Sequence, residues 1–183
     1  PVGGIGAGAF ERTMSGNFRT WFLKPGWMVD DTVWADQFHV FMKSGGRTFA
    51  RSLSADSPKN GELSSWKWKY PEGMGSSYAL YPKSGFSYEK NPEWPVKLAV
   101  VQFSPVIPHN YRETSYPVAV YRWIAENPLS QPVEVSILLT WENMVGWEPR
   151  CPNPAAVPTA FVWKRLDHGA VNEFAERGAI KGI

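Results

Sequence analysis

The residues Gly4-Ile5-Gly6-Ala7-Gly8-Ala9 match the G-x-G-x-x-[GA] pattern of dinucleotide binding, and Asp30 and Asp31 fall where its ribose-binding acid belongs, about 20 residues on. That chemistry needs a strand before the glycines and a helix after them, because the helix N-terminus presents free N–H groups to the pyrophosphate. The next residues, Phe10 to Arg19, are broken by the turn signal Ser15-Gly16-Asn17. The glycines therefore predict a loop, with Gly4, Gly6 and Gly8 supplying positive φ or room for another segment. A nucleotide-dependent oxidoreductase fails on the missing βαβ pattern, and no cofactor is implied.

Other polar residues carry structural and chemical readings side by side. Asp36 sits between Trp34 and Phe38 on the apolar face of a predicted strand. A carboxylate buried there needs a partner such as Arg12 or Arg19, or a raised pKa, and a structural ion pair is expected over a catalytic acid. His109 lies in a proline-bounded loop with Asn110 and Tyr111, where function concentrates, yet no Ser or Cys nucleophile motif accompanies it. A loop-ordering role is expected for it. His39, His168 and Cys151 lack companions at metal-ligand spacing, so no metal is predicted. Glu142, near a strand end, reads as a solvated or interface carboxylate, and Asp30-Asp31 as a turn. No two carboxylates announce themselves as the acid and nucleophile of a glycosidase.

The elements that position these residues read as strands. With 16 Pro and 16 Gly in 183 residues, few windows of helical length escape a breaker. Trp34 to Lys43 alternates, Gly45-Gly46 signals a hairpin, and Arg47 to Leu53 returns with Phe49 and Leu53 to one side. Asp56 to Gly61 is a loop. Trp66, Trp68 and Tyr70 alternate with Lys67 and Lys69 as a short strand, and a turn is expected over 71–75. Phe86 and Tyr88 repeat the alternation, and Val96 to Phe103 reads as a buried strand. Beyond the irregular crossing at Pro105 and Pro108, Pro117 to Glu126 and Pro132 to Asn143 form a second strong pair around Asn127-Pro128. In the latter, Val133, Val135, Ile137, Leu139 and Trp141 share a face. Residues 146–158 are unreadable, and Thr159 to Leu166 is another strand. About eight such runs with turns between them predict an all-β, antiparallel two-sheet β-sandwich.

Residues 1–183 suffice for one domain with a real core. The formal net charge is only +2 and the 19 Lys and Arg are scattered, which argues against nucleic acid. The single Cys151 precludes an internal disulfide and suits a reducing compartment, so a cytoplasmic location is expected. No run approaches the length of a membrane span. The chain starts without Met and stops at Ile183 with no terminal signature, so we expect a fragment of a longer protein. The aromatic share of 15%, with 10 Trp, suggests either a surface where another domain or a ligand packs, with Ile5, Phe10, Phe18, Trp21 and Trp27 as its contributors, or large rings that fill a wide sandwich core.

Taken as whole strings, the sequence resembles the N-terminal domain of the non-lysosomal glucosylceramidases and β-glucosidases of glycoside hydrolase family 116. The resemblance is carried by residues 1–8, Arg12, Gly16-Asn17-Phe18-Arg19-Thr20-Trp21 and Leu23-Lys24-Pro25-Gly26. It continues through Ala35-Asp36-Gln37-Phe38, Ser64-Ser65-Trp66-Lys67-Trp68, Tyr78-Ala79-Leu80-Tyr81-Pro82 and Pro105 to Tyr111. Ser115-Tyr116-Pro117-Val118, Val135-Ser136-Ile137 and Trp141-Glu142-Asn143 complete it, in the family's order. The resemblance implies a non-catalytic sandwich that continues into a helical (α/α)6 barrel of the same polypeptide. The catalytic Glu and Asp belong to that barrel, so no catalytic residue is carried over. It further implies a β-glucoside or glucosylceramide as substrate, retaining chemistry, and possible membrane contact of the full protein. Gly4, Gly6, Gly8, Arg12, Arg19, Trp21, Asp36 and His109 are then the candidates for the domain interface or active-site wall. The alternative is an autonomous carbohydrate-binding sandwich module, which as a secreted protein would ordinarily bring disulfides or Asn-x-Ser/Thr sites; this sequence has neither.

Overall fold

A computed structural model describes residues 1–70, 75–88, 93–150, 162–165 and 173–182. Its described residues are almost all β, in antiparallel sheets. The first sheet is a meander of β1 (Ala9–Arg12), β2 (Phe18–Lys24) and β3 (Trp27–Asp30). The front sheet has the order β10-β4-β5, from β4 (Gln37–Ser44), β5 (Arg47–Ser52) and β10 (Glu134–Thr140). In the back sheet, β6 (Ser76–Leu80), β7 (Lys83–Ser87), β8 (Lys97–Phe103) and β9 (Val120–Glu126) lie in sequence order. Two small hairpins come last, β11 (Trp147–Arg150) with β12 (Val162–Arg165), and β13 (Ala175–Arg177) with β14 (Ile180–Gly182).

The sandwich is closed by the period-two patterns of the sequence. Phe38, Val40 and Met42 alternate along β4 toward the interior, and Leu139, Ile137 and Val135 sit opposite them in register on β10. From the back sheet, Phe86, Leu98 and Val100 are buried against them. Phe38 crosses between the layers, its ring 4.9 Å from that of Tyr121 and 5.1 Å from that of Trp123. Each fully buried side chain of this size contributes about 2 kcal/mol, so truncating Met42 or Leu98 to Ala should cost at least that much. The β4–β5 hairpin turns at Gly45 (φ 54°) and Gly46 (φ 77°), two consecutive positive φ values that fit the right-handed strand twist and favour glycine.

Several expectations are corrected. Trp34 and Asp36 precede β4 in a turn, so they are not part of its inward face. Residues 66–70 form no strand: a 3-10 turn at Glu62–Ser65 leads into them, and Lys69 adopts φ 61°, which breaks the alternation. β9 and β10 are not neighbours, because β9 pairs with β8 and β10 with β4; the loop at Asn127-Pro128 carries the chain from one layer to the other. Phe18 and Trp21 are core residues, and Phe10 and Trp27 are half-buried against the core, leaving Ile5 alone of that group exposed. Of the strand expected over Thr159 to Leu166, β12 covers the described part. The turn over 71–74, Cys151 and His168 lie outside the described residues.

Candidate functional site

The glycine loop ends in a strand. β1 begins at Ala9, the Ile5 amide already donates to Thr114 O at 3.1 Å, and among the described residues no helix N-terminus faces the glycines. Gly4 lies hard against the carbonyls of Ser115 and Tyr116, Gly8 (φ 88°) packs beside Phe22, and Gly6 (φ 74°) faces open space. The partner segment is a one-turn helix, α1 (Tyr111–Thr114), capped by Asn110 Oδ1 accepting from Glu113 N. His109, exposed at φ 62°, leads into that cap. The loop and the His109 segment are thus brought together.

The arginines go elsewhere. Arg12 is buried in the core, where Nε donates to Gly16 O and Nη2 to Leu53 O and Tyr88 Oη. Its guanidinium lies 4.3 Å from the centroid of the Phe86 ring. On the surface, Arg19 forms a two-pronged pair with Asp30 across the β2–β3 hairpin, which raises its pKa further through that hydrogen bond and the opposite charge. Neither reaches Asp36, so the expected ion pair is corrected. Asp36 is 1% exposed; its Oδ1 accepts from the Glu142 amide at 2.5 Å, and its Oδ2 has no partner among the described residues. Burial pushes its carboxyl up to about 7, opposed by that amide and reinforced by the Glu142 carboxylate.

Asp36 ties together the lips of a cleft. One lip is the segment after β3, whose Asp31 O accepts from the Trp21 indole at 2.9 Å and whose Ala35 O accepts from Thr140 Oγ1 at 2.6 Å. The other runs from Trp141, whose ring packs edge-on to Phe10, Phe18 and Trp21, to Trp147 at the start of β11. The space between them is about 390 Å³, lined by Asp31, Thr32, Trp34, Glu142, Asn143 and Trp147 among others.

A second, larger depression of about 620 Å³ lies on the outer face of the front sheet. Phe41, 37% exposed, and Leu138, 59% exposed, form its apolar part, with Trp66 at its side. At its edge His39 is held by Ser52 and Thr140. Because Thr140 Oγ1 spends its proton on Ala35 O, it accepts from His39 Nε2, and Nδ1 accepts from Ser52. Burial disfavours the charged imidazole and lowers its pKa. An indole row joins the depression to the cleft: Trp66 stacks on Trp68 at 5.9 Å, and Trp68 meets Trp34 edge-on at 5.6 Å.

A family model described as beta-glucosidase 2, glycosyl-hydrolase family 116 N-term matches residues 1–183. The chain belongs to this family. As a family 116 N-terminal domain, it uses three of the strings that carry the resemblance to build one region. Ala35-Asp36 and Trp141-Glu142-Asn143 make the two lips of the cleft, and Trp66 with Trp68 makes the indole row. Sequence reasoning misses Thr32, Trp34 and Trp147 as lining residues. By its spacing Trp34 belongs to a strand face, and Trp147 lies in the proline-rich stretch that has no period.

Proposed function

We propose that this chain is the non-catalytic N-terminal domain of a retaining β-glucosidase or glucosylceramidase, packing against a helical (α/α)6 catalytic barrel of the same polypeptide and helping to shape its substrate site. The observation that carries the docking reading is the outer face of the front sheet. The outer face of a sandwich sheet carries polar residues toward water, as Glu134, Ser136 and Thr140 do on β10, but among them Phe41 and Leu138 stand exposed on adjacent strands beside Trp66 over a wide depression. Family membership supplies the occupant, since a domain named for the N-terminus of a glycosyl hydrolase works beside the rest of that enzyme. The docking face is therefore assigned to the front sheet in place of the glycine loop. Within this reading the substrate is a β-glucoside such as glucosylceramide, and the compartment is the cytoplasm, which the lone cysteine suits. No helix among the described residues is long and apolar enough to cross a membrane.

Co-expression tests the proposal. The isolated chain should self-associate and bind a hydrophobic dye, the catalytic half should suppress both, and Leu138→Asp should weaken co-purification while leaving the fold intact. A dye-silent monomer with no affinity for the catalytic half would overturn the docking reading. Turnover of an aryl β-glucoside by the isolated chain, lost in Asp36→Asn or Glu142→Gln, would overturn the non-catalytic one.

A further inference from the structure

Residues 142–146 form the middle of one lip of the cleft. Trp141 fixes this segment at one end, its ring packed edge-on to Phe10, Phe18 and Trp21, and Gly146, at φ 80°, turns the chain into β11 at the other. Between these ends the hydrogen bonds are internal: Val145 N donates to Asn143 Oδ1 and Trp147 N to Met144 O. Met144 adds an apolar contact with the core. Among the described residues, the only hydrogen bond from this segment to another part of the chain is that of the Glu142 amide to Asp36 Oδ1, across 106 positions of sequence.

The acceptor of that bond is a group whose charge is costly where it sits. Asp36 is buried behind the cleft wall, between Ala35 and Glu142, which both line the space. Among the described residues it has no salt bridge, and its Oδ2 has no partner. The charged groups of the elements around it do not help. The strap carries the Glu142 carboxylate, the opposite lip carries Asp31, and Glu148 opens β11. His39 of β4 is bonded to Ser52 and Thr140, while Arg12 of β1 and Arg19 of β2 are engaged elsewhere. A neutral carboxyl can keep the Glu142 amide in this position, whereas an ionised one leaves charge on Oδ2 away from water. Lifting Glu142 opens Asp36 to the cleft of about 390 Å³, which has room for the water that an ionised carboxylate needs.

We propose that residues 142–146 are a proton-controlled strap, held against the approach to β4 while the Asp36 carboxyl is neutral and freed to lift when it ionises. The direction follows from linkage. With the strap lifted, Asp36 meets water and titrates near its ordinary value of about 4; with the strap down, burial and the Glu142 carboxylate hold it up at about 7. Opening therefore releases a proton between those values. The strap is tightest in acid, opens more often as pH rises toward 7, and changes no further above it. The cleft lined by Trp34 and Trp147 widens near neutral pH without the unpairing of β4 and β10, and this behaviour is independent of the docking face.

Hydrogen exchange of the Glu142 amide tests this, expressed as protection relative to an unstructured peptide at each pH from about 4.5 to 8. The reference is the Leu53 amide, which donates to Phe38 O in the core. Protection of Glu142 should fall by up to about tenfold per pH unit below 7 and level off above it. It should also stay at least about tenfold below that of Leu53 throughout, because the strap lifts without the core. Asp36→Asn keeps a neutral acceptor for the amide and should make the protection independent of pH. Glu142→Gln keeps the backbone bond and should retain the pH dependence, so with wild type it decides the matter even where Asp36→Asn does not fold. Protection that is flat with pH in wild type, protection equal to that of Leu53, or a pH dependence lost in Glu142→Gln but kept in Asp36→Asn would each overturn the proposal.

Discussion

The carboxyl of Asp36 holds the backbone amide of Glu142 through Oδ1 and leaves Oδ2 buried without a partner among the described residues, linking the approach to β4 with the segment after β10. This arrangement suits the protonated acid. In the unfolded chain the group titrates near its ordinary value of about 4, and in the folded one near 7, so the folded state binds the extra proton between them. Its contribution to stability is fully present below about pH 4 and is lost as pH rises through 7, by up to roughly 4 kcal/mol. His39 works in the opposite sense: its lowered pKa contributes stability above about 6.5 that is lost as pH falls through the folded value. Comparison with Asp36→Asn isolates the carboxyl. Relative to wild type, the variant should gain stability between about pH 5 and pH 8 in urea denaturation. A difference that does not change with pH would mean that Asp36 ionises normally.

Arg12 and Arg19, both candidate partners for Asp36 by sequence, should behave very differently. Arg12 spends its guanidinium on two backbone carbonyls and the Tyr88 hydroxyl inside the core, a fork that Lys cannot reproduce. We expect Arg12→Lys to cost about 2 to 4 kcal/mol, from acceptors left unpaired and the lost packing on Phe86. Arg19→Lys, at an exposed pair with Asp30, should change stability by less than about 1 kcal/mol. Equal losses in thermal melts of the two variants would refute this assignment of roles.

How far the sequence foretells this structure depends on whether local pattern and long-range pairing agree. β4, β5, β8 and β10 are legible because their alternation coincides with burial, and Gly45-Gly46 carries the turn chemistry its hairpin demands. The run from Trp66 to Tyr70 shows the same period, yet its indoles stack on each other and Lys69 turns left-handed, so large rings at every second position imitate a strand. For β9 and β10 the sequence shows two good strands, but a connecting loop serves a layer crossing as well as a hairpin. The cleft is legible only in pieces. Neither Asp36 nor Glu142 points to the other in the sequence, and their contact depends on β4 and β10 pairing in a register that brings Thr140 beside Gln37. No local signal locates the Asp36 proton, because its pKa is set by burial under chain distant in sequence.

The glycines of the opening loop divide into those that make room and those that only turn, and substitution should separate them. At Gly4 a Cβ would collide with the Tyr116 and Ser115 carbonyls, backbone atoms that cannot swing aside, and the loop's tie to α1 through Ile5 N and Thr114 O would have to open. Gly6 has φ 74° with nothing within 4 Å of where a methyl group would sit, so Ala there meets only the left-handed backbone penalty of about 1 to 2 kcal/mol. We therefore expect Gly4→Ala to destabilise the chain more than Gly6→Ala, and hydrogen exchange at Ile5 to accelerate in the first variant but stay near wild type in the second. Gly6→Asn, which tolerates positive φ, should recover part of the Gly6→Ala loss, whereas Gly4→Asn should recover none. Similar melting temperatures for both alanine variants, with Ile5 protected in each, would show that the loop does not rest on the Ser115–Tyr116 backbone.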